Sequence, residues 1–364
     1  MTFSIKKQNG KKKIIKLKKT SITIEDNSIT GFLINGKTKL GYINIPSFYT
    51  DLEAQNGLGV ANDVAKQIYK LQRENIQGLI LDLRFNGGGS MKEAMDLSGM
   101  FIDRGPVAIS KARNEKNYTI RDPNRGTVFT KPIVVLVNQF SASASEFFAA
   151  ALQDYNSAII VGSTTYGKAS SQIILPLKTN NYIKLTIGQF FRVTGKSHQQ
   201  LGVIPDISLP NIYDNYKTQE TYKSFALANS NVEVTLKHRA KSKAEISALK
   251  ISSAQRIDSS NAFKAIKAFN SIFVNDYINR EGTYSLTLDY IFSNTDTYNL
   301  ARDNYIAVLE ANASVFTIDN TESTARILDY NADDKTANAN YRKKLREDPY
   351  IQEAYAIIND IIKL

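Results

Sequence analysis

The chain has 364 residues, 42% of them hydrophobic and 22% charged, with a formal net charge of +11. That length and balance belong to a folded protein with room for two or more domains, not to a disordered chain. Cysteine is absent and the histidines are two, His198 and His238, which excludes disulfides, thiol nucleophiles, cysteine-ligated metals and a zinc helix with paired histidines. No metal and no cofactor is expected.

Residues 1–20 hold eight lysines and no acid, so most of the basic character is local. Phe3 and Ile5 alternate with polar residues before Asn9-Gly10, and Ile15 and Leu17 do so after it, the pattern of a β-hairpin with a type I′ turn. A solvated hairpin face accounts for these charges without a nucleic-acid partner. No window approaches the ~18 apolar residues of an integral membrane segment, and the lysine-rich start lacks the apolar stretch of a signal peptide.

YINIPSF (42–48) and GLILDLR (78–84) read as buried strands, with Val60, Val64, Ile68 and Leu71 at helical spacing between them. NGGGS then opens a helix with Ala94, Leu97 and Phe101 on one face. IVVLV (133–137) reads as a strand, SASASEFFAAALQDY (141–155) as a helix and AIIVG (158–162) as a strand. Three extended runs follow, IILPL, YIKLTI and QFFRV. This alternation, from about 38 to 205, predicts an α/β layered domain. Beyond Pro210 the stretches TYKSFALAN (221–229), SNAFKAIKAFNSIF, NLARDNYIAVLEA and PYIQEAYAIINDIIKL have helical period, which predicts a mostly helical second domain.

Gly162, Gly167 and Lys168 reproduce seven places of the phosphate-cradling pattern G-x-x-x-x-G-K-[ST]. The eighth is Ala169, which has no hydroxyl for magnesium, and a strand pattern follows where that loop requires a helix. The nucleotide reading fails on context, and Lys168 needs another role. Ser143 and Glu146 fit a capping box at the start of a helix. A serine there is also placed for nucleophilic work, since the free N–H groups of the helix end can hold an oxyanion. It then needs a base. Lysine serves only when neutral, so burial must lower its pKa toward neutrality. Apolar Ala158 to Val161 and Ile173-Ile174 flank the loop, and Gln172 is placed to orient the amine.

SASASE (141–146), LQD (152–154), GxxTxGK (162–168) with Gln172 beyond it, DLRFNGGG (82–89) and LGVIPD (201–206) resemble, in order, the signature of the carboxy-terminal processing peptidases. That serine–lysine family includes the tail-specific proteases. The 25-residue spacing from Ser143 to Lys168 is the family's as well, and DPYIQEAYAIINDI (348–361) resembles the tail-specific branch in particular. The resemblance implies that Ser143 is the nucleophile, Lys168 the general base and Gln172 its orienting partner. It implies an oxyanion hole of the Ala144 N–H and one N–H from Gly88-Gly89. Asp82 and Arg84 read as a structural ion pair, Asp154 as a support to the site, and His198 as a surface residue.

The implied fold is α/β, a crotonase/ClpP-like layered protease core followed by a mostly helical C-terminal domain. The expected divisions are 1–20, the last hairpin of a PDZ domain; 21–37, a connector; 38–210, the protease core; and 211–364, the helical domain. The implied activity is endoproteolysis of unfolded or C-terminally marked proteins with apolar C-termini, through an acyl-enzyme, with the helical domain as a place for an adaptor protein. The alternative is a non-catalytic module on the same fold that binds an apolar ligand or peptide. The family works in the bacterial periplasm or cell envelope, whereas this chain shows no signal peptide and so reads as a fragment or a truncated product.

Overall fold

The computed structural model describes residues 2–6, 10–18, 29–50, 58–178, 181–242, 246–278, 282–283, 287–330 and 332–364. Strands β1 (Thr2–Lys6) and β2 (Lys12–Lys16) pair antiparallel with Phe3 opposite Ile15, as the alternation predicts. Asn9 of the expected turn lies outside the described residues. So do residues 21–28 of the expected connector, while residues 31–35 of that connector form a strand of the main sheet.

That sheet has seven strands. In chain order they are β3 (Gly31–Asn35), β4 (Lys39–Asn44), β5 (Leu79–Asp82), β8 (Ile133–Val137), β9 (Ile159–Gly162), β12 (Ile207–Ser208) and β13 (Thr317–Asn320). Their spatial order is β12-β9-β8-β5-β4-β3-β13. From β12 to β4 neighbours run parallel, and β3 and β13 close one edge antiparallel. Every residue of β5, β8 and β9 is buried, because a parallel sheet carries helices on both faces and its strands read as unbroken apolar runs.

One face is covered by α1 (Val60–Arg73), α2 (Met91–Gly99) and α3 (Ala144–Asp154). Val60, Val64, Ile68 and Leu71 of α1 are all buried, so the apolar stripe at helical spacing is the face that docks. Ser90 caps α2 by accepting from Glu93 N–H. The other face is covered from the C-terminal region by α4 (Ile246–Ser259), α5 (Asn261–Ser271), α8 (Ala332–Glu347) and α9 (Pro349–Lys363). Leu249, Ile266, Leu345, Ile351, Ile357 and Ile358 meet Tyr42, Ile80, Val134 and Leu136 in one cluster. The fold is α/β and layered, with a helical C-terminal region whose helices form the sheet's second layer and whose β13 lengthens its edge.

A second sheet, ordered β10-β11-β6-β7, is antiparallel and comprises β6 (Gly105–Ala112), β7 (Tyr118–Asp122), β10 (Ser170–Pro176) and β11 (Tyr182–Phe191). The runs YIKLTI and QFFRV expected as separate pieces are largely one strand, β11, continuous through Gly188 and ending at Phe191. YINIPSF ends early as a strand, at Asn44, since Pro46 has no N–H for a ladder. TYKSFALAN is not a helix: it holds only the end of a short 3₁₀ turn, and Phe225 is 98% exposed, so no packing face supports one. A π-helix, Ile272–Ile278, continues α5, and α6 (Leu288–Glu310) and α7 (Glu322–Leu328) lie further along the chain. Among the described residues no helix is long and apolar enough to cross a membrane.

Candidate active site

Strands β5, β8 and β9 are neighbours and parallel, so the loops leaving their carboxyl ends lie side by side, where open α/β sheets form their sites. The first loop carries Arg84 to Ser90, the second Asn138 to Ser143 and the third Ser163 to Lys168. Hydrogen bonds, mostly between backbones, join them at their bases. Ala142 N–H and Ser145 Oγ both donate to the Asn86 carbonyl at 2.9 Å, and Tyr166 N–H donates to the Ser141 carbonyl at 3.0 Å.

Ser143 stands at the N-cap of α3 with φ 57° and ψ −113°, a conformation that L-residues rarely adopt. The sharp bend leaves Ser143 partly exposed between buried Ala142 and Ala144. Gly88 lies against it: a Cβ added to Gly88 would stand 2.9 Å from Ser143 Cβ and 3.1 Å from Ala144 N. Gly89, at φ 144°, has no room for a side chain either, since a Cβ there would stand 2.3 Å from the Phe48 carbonyl oxygen. Gly88 donates its own N–H to Asn86 Oδ1 at 2.9 Å. The Gly89 N–H makes no such bond.

Glu146 ties the nucleophile loop to the lysine loop. Its Oε2 accepts from Ser143 N–H and Lys168 N–H, each at 2.9 Å, and its Oε1 accepts from Gly167 N–H at 2.6 Å and Thr165 Oγ1 at 2.5 Å. One carboxylate oxygen thus fixes the backbones of both Ser143 and Lys168. The group is fully buried, and burial pushes its pKa up to about 7 against the pull of its four donors. The lysine loop is held from its far side too. Ala169 N–H donates to Gln199 Oε1 at 2.7 Å, and Val203 N–H to Thr165 Oγ1 at 2.6 Å.

The Lys168 side chain is partly buried, and burial, with a smaller push from Lys184, lowers its pKa below the ordinary lysine value. The carboxylates of Glu220 and Glu146 oppose that shift. Its Nζ donates to the Ser170 carbonyl at 3.3 Å. Ser143 and Lys168 share the Glu146 anchor, but no hydrogen bond joins their side chains. Gln172 does not reach the amine: it donates to Thr186 Oγ1 at 3.2 Å, beyond a bulge between Ser171 and Gln172 that shifts the register of β10.

His198 is not at the surface. It is 2% exposed and packs on Phe190 with ring centroids 5.2 Å apart; burial, helped by the Arg192 charge, lowers its pKa to about 3 and keeps it neutral. Asp154 pairs with Arg192 at 2.5 Å, a brace between the end of α3 and the end of β11. Asp82 and Arg84 form the expected ion pair at 2.6 Å, and Arg84 extends it to Asp348 at 2.8 Å while lying over the Tyr350 ring. Asp348 is also the N-cap of α9.

The loop with the phosphate-binding pattern spends the N–H groups of Gly167 and Lys168 on a buried carboxylate, and β10 follows it directly. A bound phosphate would face Glu146. Among the described residues no group of three or more acidic or histidine side chains is arranged to hold a metal ion. The organising role of Glu146, and the hold of Gln199 on Ala169, go beyond what the sequence suggests. The capping-box spacing from Ser143 marks Glu146 as a helix-start residue, but its bonds to the lysine loop cross 19 to 22 positions of sequence.

Residues 39–209 match Peptidase family S41. Over that span the chain is similar to the carboxy-terminal processing peptidases. It is 37% identical over 231 residues to the tail-specific protease of Haemophilus influenzae, a match covering 61% of this chain and 32% of that protein. It is 34% identical over 186 residues to a carboxy-terminal-processing protease of Bartonella bacilliformis, covering 49% of this chain and 41% of the relative. The chain therefore spans well under half the length of either. A solved photosystem II D1 C-terminal processing protease is 27% identical, with a TM-score of 0.43 over 54% of this chain and 52% of that one.

Proposed function

We propose that the chain is the catalytic part of a serine endopeptidase that cuts polypeptides through a Ser143 acyl-enzyme with Lys168 as general base. The observation that carries this reading is the shared anchor: one Glu146 oxygen holds both Ser143 and Lys168 by their backbones, beside Gly88 packed on the serine. In the reaction, neutral Lys168 Nζ takes the proton of Ser143 Oγ as it attacks the scissile carbonyl carbon. The oxyanion is held by the N–H groups of Ala144 and Gly89. Lys168 gives the proton to the leaving amine, and water, activated by the same amine, hydrolyses the acyl-enzyme.

This chemistry requires Lys168 Nζ to leave the Ser170 carbonyl for Ser143 Oγ, and Gln172 to leave Thr186 Oγ1 if it is to orient the amine. Unfolded or C-terminally marked substrates, an adaptor on the helical region, a PDZ-derived hairpin at 1–20 and an envelope location are parts of the same proposal that rest on the family resemblance.

Lys168→Met tests the base. A lysine whose folded pKa is lowered is bound more tightly to its proton in the unfolded chain, so stability rises with pH from the folded value up to the ordinary 10.5. The Met variant, which keeps most of the volume, is expected to be inactive and to lack that rise. Parent activity should climb on the alkaline side as the amine loses its proton. Denaturant titrations at about pH 7 and about pH 9.5, parent beside variant, read the slope. The same slope in both proteins would remove Lys168 as base, and unimpaired peptide capture without cleavage by the parent would favour the binding-module alternative.

A further inference from the structure

Phe85 is a bulky residue in a backbone conformation that favours glycine, with φ 64°, and its side chain contributes to a residue that is 59% exposed. Core packing does not account for that strain. A specific clamp holds it: Asn138 Oδ1 accepts from Phe85 N–H at 3.0 Å and from Phe140 N–H at 3.1 Å. The two rings stack with centroids 5.5 Å apart and 16° between their planes. Tyr213 meets both edge-on, at 6.1 and 5.0 Å. Asn138 itself is 1% exposed, so the clamp is built on the end of β8.

The position of this aromatic group decides what it is for. Phe85 belongs to the loop of Gly88 and Gly89, and Phe140 to the loop of Ser143, the two loops being joined by Ala142 N–H on the Asn86 carbonyl. Beside Phe85 opens a cavity of about 360 Å³ whose apolar wall is Phe85, Ile212, Tyr213, Tyr305, Ile306 and Leu309. It is of a size that takes a small ligand or a large side chain. Its near wall comes from Phe85, three residues before Gly88 on the same loop, and its far wall from Tyr305, Ile306 and Leu309 of α6.

We propose that this cavity is a side-chain subsite of the active site, which takes one bulky apolar residue, aromatic or branched aliphatic, of a polypeptide substrate against the Phe85 ring. The strain at Phe85 is then the cost of presenting a ring on the oxyanion loop. The proposal rests on the serine-peptidase reading, and its test separates the two.

The probes are two short fluorescein-labelled peptides of Gly and Ser, one with a single central Phe and one with Ala in its place, titrated by anisotropy into the Ser143→Ala protein. A free register lets the Phe find the subsite. It should bind about tenfold tighter or better, the effect of burying one large apolar side chain. Phe85→Gly, which accepts the φ and removes the ring, and Ile306→Arg, which brings a charge into the far wall, should each bring the ratio near one. Thermal transitions establish that each variant folds, and Ile306→Arg carries the test alone if Phe85→Gly does not. Equal binding of the two peptides, or a ratio unchanged by a folded variant, overturns the subsite. Free indole binding as tightly as the Phe peptide also overturns it, in favour of a small-molecule pocket. A preserved ratio with no cleavage of either peptide by the parent overturns the peptidase reading and leaves the peptide-binding cavity standing.

Discussion

Ser143→Gly is expected to abolish peptide hydrolysis and yet leave a protein more stable than Ser143→Ala by about 1 kcal/mol. Both changes remove the nucleophile, and with it more than about a thousandfold of the rate. They differ in the backbone. At φ 57° and ψ −113° a Cβ is strained whatever side chain it carries, and Ala retains it in close approach to Gly88. Glycine accepts the conformation, and that relief outweighs the entropy it adds to the unfolded chain. Digestion of an unfolded protein at matched enzyme concentrations, beside denaturant titrations, reads both effects. Cleavage by Ser143→Ala above about one per cent of the parent would point to another nucleophile. Equal stability of the two variants would mean that the bend at Ser143 stores no strain.

Glu146→Ala should cost about 3–5 kcal/mol and remove activity, although Glu146 touches no substrate in the proposed reaction. The change strands three backbone N–H groups and the Thr165 hydroxyl around an emptied site, and releases Ser143 and Lys168 from their common anchor. Titration gives a second readout. A carboxyl held at about 7, against an ordinary 4.5, binds its proton more tightly in the folded chain. Its contribution is therefore full below about pH 4.5 and is lost as pH rises to about 7, a fall of about 3 kcal/mol. Glu146→Gln cannot ionise and should lack that fall. A Gln variant with the parent's slope between about pH 5 and about pH 7 would show that Glu146 is charged throughout. Lys168 acts with the opposite sign, its contribution rising with pH up to the ordinary 10.5.

What the sequence made legible follows from the range of the interactions involved. The stripe of Val60, Val64, Ile68 and Leu71 and the runs LILD and IVVLV name their own elements, because burial on one face or two is written in local periodicity. The short strands β7 and β13 carry no such pattern: Tyr118 to Asp122 is largely exposed or half-buried, and Thr317 to Asn320 is a strand only because β3 offers an edge. At the site, Ser143 and Lys168 are readable from helix-start chemistry and family resemblance together. Gln172 bonds Thr186 next to a bulge, a tertiary feature without a local sequence signal. His198 reads as a loop residue among polar neighbours, and only the fold of that loop onto Phe190 buries it.

The Arg84 ion pairs have a consequence for how the molecule opens. Asp348 starts α9 and Arg84 starts the loop that carries Phe85 and Gly89, so the first turn of the helix and the rim of the site are fastened by the same guanidinium. With Ile351, Ile357 and Ile358 fully buried on the sheet, α9 cannot lift without unpairing Arg84. The two segments form one cooperative unit despite being over 260 positions apart in sequence. Amide protons of α9 and of the loop from Arg84 to Ser90 should accordingly exchange with a common free energy of opening, well above that of the exposed β1–β2 hairpin.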